Sequence, residues 1–364
     1  MLEQRRADAV APRCTGVVGL PYVELVGAER DVILTEASSA TFLSPSGVRL
    51  NVSLPHVQAC VLDRALLEQR LRRRVVDSGA ELCEGIVVSR VTRTAGVIEV
   101  SGLCGGRTWR FSCRVLVLAS GVSPGLLGQA GLESPGRYLV GAHAEVVMDG
   151  VPETEVHMLP DLAPGAFAWL VPIGSRRVRV GVLGPSSAAM LARRFLERPG
   201  VRERLLTPPC AVMQRPVPIS VARRLHAQAM VAIGDAAGQV KPTTGGGLYF
   251  GATAATIAAG VVSQALARDD VSSRALAAYD RRWRAALGRE LRQGAMARAI
   301  YGRLSPAQVD GIFAHADRTG LAETLLRSRS FSFDRHGATL LLGLLRCVPG
   351  LLGGSAGNAL EAQG

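Results

Sequence analysis

The sequence predicts an α/β protein: a three-layer fold that is incomplete at its front, an antiparallel sheet of a second domain, and a helical C-terminal region. Three observations lead there. A helical pattern at 61–78 is followed by three short strand patterns and then a continuous apolar run at 115–119. A second apolar run at 230–233 ends in Gly234-Asp235 and leads, through a proline and three glycines, into a long helical pattern. Between the two runs, 138–182 is mostly strand-like.

Taken in order, Leu62, Leu66, Leu67, Leu71 and Val75 recur on one helical face, and Gly79 ends that helix. Strands are expected at 86–91, 97–100 and 108–111, with Gly105-Gly106 turning between the last two. The run Val115-Leu116-Val117-Leu118-Ala119 suits a strand buried on both faces of a parallel sheet. Helix, meander, buried strand is the order found when a nucleotide-binding α/β domain carries a β-meander as a crossover. Segments 138–148, 167–172 and 177–182 alternate in part and predict the antiparallel sheet, followed by a helix at 188–197. Met230 resumes the first sheet, and helices follow near 246–266 and 272–299. The expected division is 1–136 for the first part of the nucleotide-binding domain, 137–228 for the substrate domain, 229–270 for the resumed first domain, and 271–364 for the helical region.

Composition narrows the function. The chain has 364 residues, 48% hydrophobic and 20% charged, which suits packed cores and argues against wholesale disorder. Its net charge of +12 is almost all arginine, with Lys241 the only lysine. The arginines are dispersed and aromatics are 4%, too few for stacking platforms, so no nucleic-acid partner is expected. A basic face meeting an anionic membrane or cofactor stays open. The seven cysteines form no C-x-x-C pair and have no histidine at metal-ligand spacing, so no metal is expected. The opening residues 1–6 are polar and unlike a signal peptide, and no apolar run approaches a membrane span. These features point to the cytoplasm and to free thiols. His56, His143, His157 and His226 are isolated and read as structural.

The chemistry concentrates in Ala229 onward: AMVAIGDAAGQVKPTTGGGLYFG. Pro242 cannot continue a helix, and the three glycines then open one. Backbone N–H groups at a helix start point outward with partial positive charge, and glycines let an anionic or electron-rich group come close. Asp235, at the strand end, can accept hydrogen bonds from sugar-alcohol hydroxyls. Glycine clusters often make plain loops, but a loop does not require this order of strand, Asp, Pro and triple Gly.

GDAAGQVKPTTGGGLYFG resembles the second flavin motif of the geranylgeranyl reductase family, FAD-dependent oxidoreductases with the para-hydroxybenzoate-hydroxylase-like fold. VLDRALLEQRL resembles that family's Asp-Arg motif at the start of a helix. PGAFAWLVPIGSRRVRVGV resembles its aromatic-x-Trp-x-x-Pro segment, with Phe167 at the usual tyrosine and Val171 at the usual phenylalanine. RCTGVVG resembles the Arg-Cys-Gly segment that touches the flavin. The resemblance covers residues 1 to about 290. It implies that Asp235 binds the ribityl or phosphate side of FAD, and that Gly247 and Leu248 offer backbone N–H groups to the isoalloxazine. Arg64 would pair with the pyrophosphate, where a planar, permanently charged fork fits. Backbone near Val88 would contact the adenine, and Cys14, Thr15 and Val17 would lie along the isoalloxazine.

The departure is at the front. No G-x-G-x-x-G stands near the start. Glu3 stands eleven residues before Cys14, as the family's ribose-binding acid does. About thirty residues carrying the first strand and the glycine-rich helix are therefore expected ahead of Met1. The two readings are a start that lies upstream, the one favoured, or a truncated gene whose product binds FAD weakly or not at all.

The implied activity is reduction of C=C bonds in geranylgeranyl or other polyprenyl lipid chains, by hydride from reduced flavin, with possible peripheral membrane contact. The proton donor and any other catalytic residue are not assigned, and the electron donor is NAD(P)H or a small redox protein. The rivals are a flavin monooxygenase or halogenase on the same scaffold and an inactive flavoprotein remnant.

Overall fold

In the computed structural model, residues 1–6, 14–94, 96–185, 187–209, 211–328 and 331–353 are described. The chain opens on β1 (Leu2–Glu3), β2 (Val17–Gly19) and α1 (Leu20–Val26), then β3 (Ile33–Ala37), β4 (Ser39–Leu43), β5 (Arg49–Ser53) and β6 (Ala59–Leu62). The expected helix at 61–78 is shorter: α2 spans Arg64–Asp77, and Val61 and Leu62 belong to β6. The cause is Asp63, whose carboxylate accepts from the N–H groups of Ala65 and Leu66 and so fixes the helix start behind it.

After β7 (Cys83–Glu84), which pairs in parallel with β1, the meander is β8 (Val87–Thr94), β9 (Val97–Cys104) and β10 (Arg107–Cys113), antiparallel throughout. Gly105 and Gly106 turn β9 into β10 with φ of 56° and 78°, a conformation that glycine adopts freely. Next, β11 (Leu116–Leu118) lies parallel to β19 (Met230–Ala232), which also pairs with β18 (His226–Ala227). The expectation that β11 is buried on both faces is corrected: Leu118 is buried, but Val117 is 43% exposed. Among the described residues β11 pairs along one edge only, and nothing covers the face that carries Val117.

After α3 (Pro124–Gln129) come β12 (Tyr138–Met148), β13 (Thr154–Met158), β14 (Phe167–Pro172), β15 (Arg177–Gly184), α4 (Ala188–Leu196), α5 (Pro199–Arg202), β16 (Leu205–Thr207) and β17 (Met213–Pro218). Their eight-stranded sheet is antiparallel except where β13 meets β4 in parallel. It therefore takes in β4 and β5, which fall inside the span 1–136 expected for the first domain, so the sheets do not follow that boundary. The amphipathic α4 packs Leu191, Ala192 and Phe195 onto Val146, Leu170, Val180 and Val182 of this sheet. The C-terminal region is helical as expected: α6 (Leu248–Ala267), α7 (Ser273–Tyr301), α8 (Pro306–Thr319), α9 (Leu321–Leu326) and α10 (Gly337–Gly353).

One core runs from the meander (Val91, Ile98, Val100) through the short parallel sheet (Leu118, Met230, Val231) to α6 and α7 (Phe250, Ala254, Trp283, Leu287). The 20-residue α6 corrects a second expectation, since by length and composition alone it could cross a membrane. Its Phe250, Ala254, Ala258, Val261 and Ala265 are buried in this core, the arrangement of a core helix.

Candidate cofactor site

The sequence-predicted residues fall into two groups. Glu3, Cys14, Thr15, Val17 and Arg64 form the first, where β1, the strip 14–19 and the start of α2 meet. Arg13, the first residue of the strip motif, lies outside the described residues. Gly16 takes φ +80°, and a Cβ there would stand 2.8 Å from Leu62 O, so the strip lies too close to β6 for a side chain. Val17 pairs with Val61 and packs with Val171 and Ile173. Gly16 N points at Cys14 Sγ (3.4 Å), and Thr15 O accepts from Arg179 Nη1 (2.8 Å).

Arg64, the first residue of α2, donates through Nη2 to Glu68 Oε1 (2.8 Å), while its buried Nε and Nη1 have no protein partner. Burial disfavours its charge, but its surroundings outweigh that, with the Glu68 carboxylate the anion bonded to it, and the guanidinium stays charged. A buried, charged donor pair left open toward Cys14 and Tyr22 calls for an anion or a polar ligand. Glu3 joins the same group through Arg5, which bridges Glu3 Oε1 (3.8 Å) and Glu68 Oε2 (3.2 Å).

Asp235, Gly247 and Leu248 form the second group. Asp235 sits in the turn Gly234–Ala237 after β19, and burial raises its carboxyl against the pull of Arg215. A Cβ on Gly247 would lie 3.1 Å from Asp235 Oδ1, so the aspartate and the start of α6 are neighbours. Gly247 is the N-cap of α6 and Leu248 its first residue, and no side chain caps them. The outward N–H groups of that helix start are thus left for a ligand. Val88 takes no part in these contacts. It lies on β8 beside the bulge at Ser89, three residues before Val91, whose N–H donates to Gln129 Oε1 (2.7 Å), and next to an open cleft lined by Ser89, Arg90, Val91, Thr92 and Gln129.

Sequence reasoning missed Arg179 and the packing around Lys241. Arg179 is 4% exposed; it pairs with Glu145 (3.0 Å) and bonds both Thr15 O and Leu62 O, tying β15 to the strip. Lys241 is equally buried and donates to Phe333 O (2.9 Å). Burial lowers its pKa to about 8, with Asp334 and Glu290 opposing. The one available signal was that it is the sole lysine of the chain. Tyr249 is buried in the core and its hydroxyl accepts from Arg335, so it is held by packing. Among the described residues, no group of three or more His, Cys, Asp or Glu could hold a metal ion.

Residues 54–292 match the tryptophan halogenase family model. The chain is 27% identical over 329 residues to digeranylgeranylglycerophospholipid reductase 2 of Methanothermobacter thermautotrophicus, covering 86% of this chain and 83% of that protein. It is 30% identical over 301 residues to digeranylgeranylglycerophospholipid reductase 1 of Methanopyrus kandleri, covering 78% of each. Its fold matches a geranylgeranyl bacteriochlorophyll reductase-like protein from Thermoplasma acidophilum with TM-score 0.83 at 18% identity, over 97% of this chain and 91% of that one. A flavin-dependent halogenase matches with TM-score 0.67 at 15% identity, over 97% and 73%. On these matches and motifs, the chain belongs to the geranylgeranyl reductase family of FAD-dependent oxidoreductases, built on the scaffold that the tryptophan halogenase model also describes.

Proposed function

We propose that this protein binds FAD between its two residue groups and reduces C=C bonds of a polyprenyl lipid chain. The observation that carries the cofactor part is Arg64, whose buried guanidinium keeps two donors unpartnered beside Cys14 and Tyr22. The pyrophosphate of FAD supplies the acceptors that such a fork requires. Asp235 accepts from the ribityl hydroxyls or faces the phosphate side, and Gly247 and Leu248 donate backbone N–H groups to the isoalloxazine edge. Glu3 takes the ribose, the backbone near Val88 the adenine, and Cys14, Thr15 and Val17 lie along the ring.

Bound there, reduced FAD would supply a hydride from N5 to one alkene carbon while a proton reaches the other. The protein's part is to hold the ring edge on the α6 start, press the strip 14–19 against it, and keep water out with the apolar wall of Val17, Val61, Trp169 and Val171. The reductant is NAD(P)H or a small redox protein, which rapid-mixing reduction of the flavin with each separates.

The substrate class rests on the relatives named for digeranylgeranylglycerophospholipid reduction. A lipid of that kind resides in a bilayer, so we propose peripheral membrane contact through α10, whose Leu340, Leu342 and Leu345 are exposed next to Arg346. The halogenase likeness supports a second reading, an oxygen-using flavin enzyme; oxygen consumption coupled to NAD(P)H, with halide or hydroxyl incorporation, is its signature.

The test is an FAD titration of the purified chain and of Arg64→Met, followed by flavin fluorescence. The proposal expects saturable binding, weakened about 10- to 100-fold in the variant, with the melting temperature of the FAD-free variant unchanged or raised because two unpaired buried donors are gone. Equal affinity in the two proteins contradicts Arg64 as a pyrophosphate ligand.

A further inference from the structure

The segment 331–337, which follows α9 and ends on the first residue of α10, reaches both the strip 14–19 and the loop 241–247. Toward the glycine loop, Phe333 O accepts from Lys241 Nζ (2.9 Å), and the ammonium lies 4.6 Å from the centre of the Phe333 ring. Lys241 is also a corner of that loop: its N–H donates to Gly246 O (3.0 Å), its carbonyl accepts from Gly245 N–H (2.9 Å), and its stem runs against Gly246. His336 adds a second tie. Its Nδ1 lies 2.8 Å from Phe333 O, which can only accept, so the ring proton sits on Nδ1 and Nε2 accepts from Thr243 Oγ1 (3.0 Å).

Toward the strip, Asp334 is 3% exposed, and its Oδ1 accepts from Gly19 N (3.2 Å), the N-cap residue of α1. Its Oδ2 has no hydrogen-bond partner among the described residues, and Lys241, more than Arg335, offsets the cost of burying the carboxylate. The far end of the segment is pinned to α7: Gly337 N donates to Glu290 Oε1 (2.6 Å), and a Cβ on Gly337 would stand 2.8 Å from Gly294 N. A side chain at that position cannot fit.

We propose that residues 333–336 are a strap that holds the strip 14–19 and the loop 241–247 in register with one another, with Lys241 and Asp334 as its positioning residues. The inference rests on the reading that these two segments face FAD. The strap itself needs no cofactor to be observed, since its contacts are all within the chain.

Hydrogen exchange of the FAD-free full chain, read by mass spectrometry, tests it. Among the described residues Lys241 has no hydrogen bond to the strip, yet Lys241→Met is expected to speed exchange in 14–22 about tenfold as well as in its own loop. Asp334→Ala is expected to do the same to 241–248. Asp334→Asn is expected to restore protection of 14–22, because its side-chain oxygen still accepts from Gly19. A Leu127→Ala variant, in the core at α3, serves as a control for general loosening. If each substitution speeds exchange only in its own segment, or if the control reproduces the cross-effect at equal melting temperature, there is no strap. An FAD titration of the same variants reports separately: cross-protected segments without FAD binding would keep the strap and overturn the cofactor reading, whereas unchanged affinity in Lys241→Met would overturn its positioning role.

Discussion

Arg64 and Glu155 show two ways in which a buried charge is settled. Arg64 has one bond to Glu68 and two open donors, which the proposed FAD pyrophosphate would complete. Glu155, in β13, is completed by the protein: Arg204 grips both oxygens (2.6 and 2.9 Å) and His157 Nε2 lies 3.0 Å from Oε2. Burial pushes the Glu155 carboxyl up, but His157 and Arg204 outweigh it and hold its pKa at about 2. Breaking that pair leaves a half-buried guanidinium without its carboxylate, so Glu155→Gln should cost about 2 kcal/mol in denaturant unfolding; a loss below about 1 kcal/mol would mean that the pair is solvated. The strap adds a pH signature. Burial, with Lys241 close by, lowers the His336 pKa to about 3. Its folded pKa lies below its unfolded one, so the unfolded chain binds more protons between the two. The stability from a neutral His336 is present above about pH 6.5 and is lost as pH falls toward 3, joined by Glu155 below about pH 4.5. Melting temperatures across that range should fall less steeply above pH 5 in His336→Asn; parallel curves would show that His336 titrates freely.

Among the elements, those with strong local signals were readable and those defined by distant partners were not. The helices α6 and α7 and the strands β12, β14 and β15 follow apolar periodicity within one or two residues. The strands β3, β4, β5 and β13 are five residues long, too short for an alternation such as Arg-Leu-Asn-Val-Ser in β5 to stand out, and the sheet they join is set by partners remote in sequence, β13 with β4 for example. Leu62 shares the helical spacing of Leu66, and only the capping carboxylate of Asp63 separates strand from helix. The candidate site divides the same way. The start of α6 was legible as a helix terminus opened by glycines with no side-chain cap, while Lys241 and Asp334, 93 residues apart, carry no local signal of their mutual electrostatic influence. At this scale the lipid proposal is testable through α10: Leu342→Glu with Leu345→Glu should lower the fraction that floats with anionic vesicles at least several-fold, while leaving FAD binding intact. Equal flotation would place the membrane contact elsewhere.

At the scale of the whole molecule, two sheet systems interleave. The chain enters the eight-stranded sheet at β4, leaves it for the meander, returns at β12, and rejoins the parallel sheet at β18 and β19. This weaving brings β6, the strip and the α2 start together and sets β2 against α6, and the C-terminal segment contacts both strip and loop. The order of motifs along the chain made the scaffold legible; the sheet membership of residues 39–53 was not, because no local pattern tells which sheet a hairpin joins. The central claim, a flavoenzyme that reduces polyprenyl double bonds, is tested most directly by an anaerobic single turnover. FAD-loaded protein is reduced chemically and mixed with a geranylgeranyl lipid. Reoxidation of the flavin together with a lipid heavier by two hydrogens per bond is the predicted result. Flavin that stays reduced until oxygen is admitted, with the lipid mass unchanged, would contradict it.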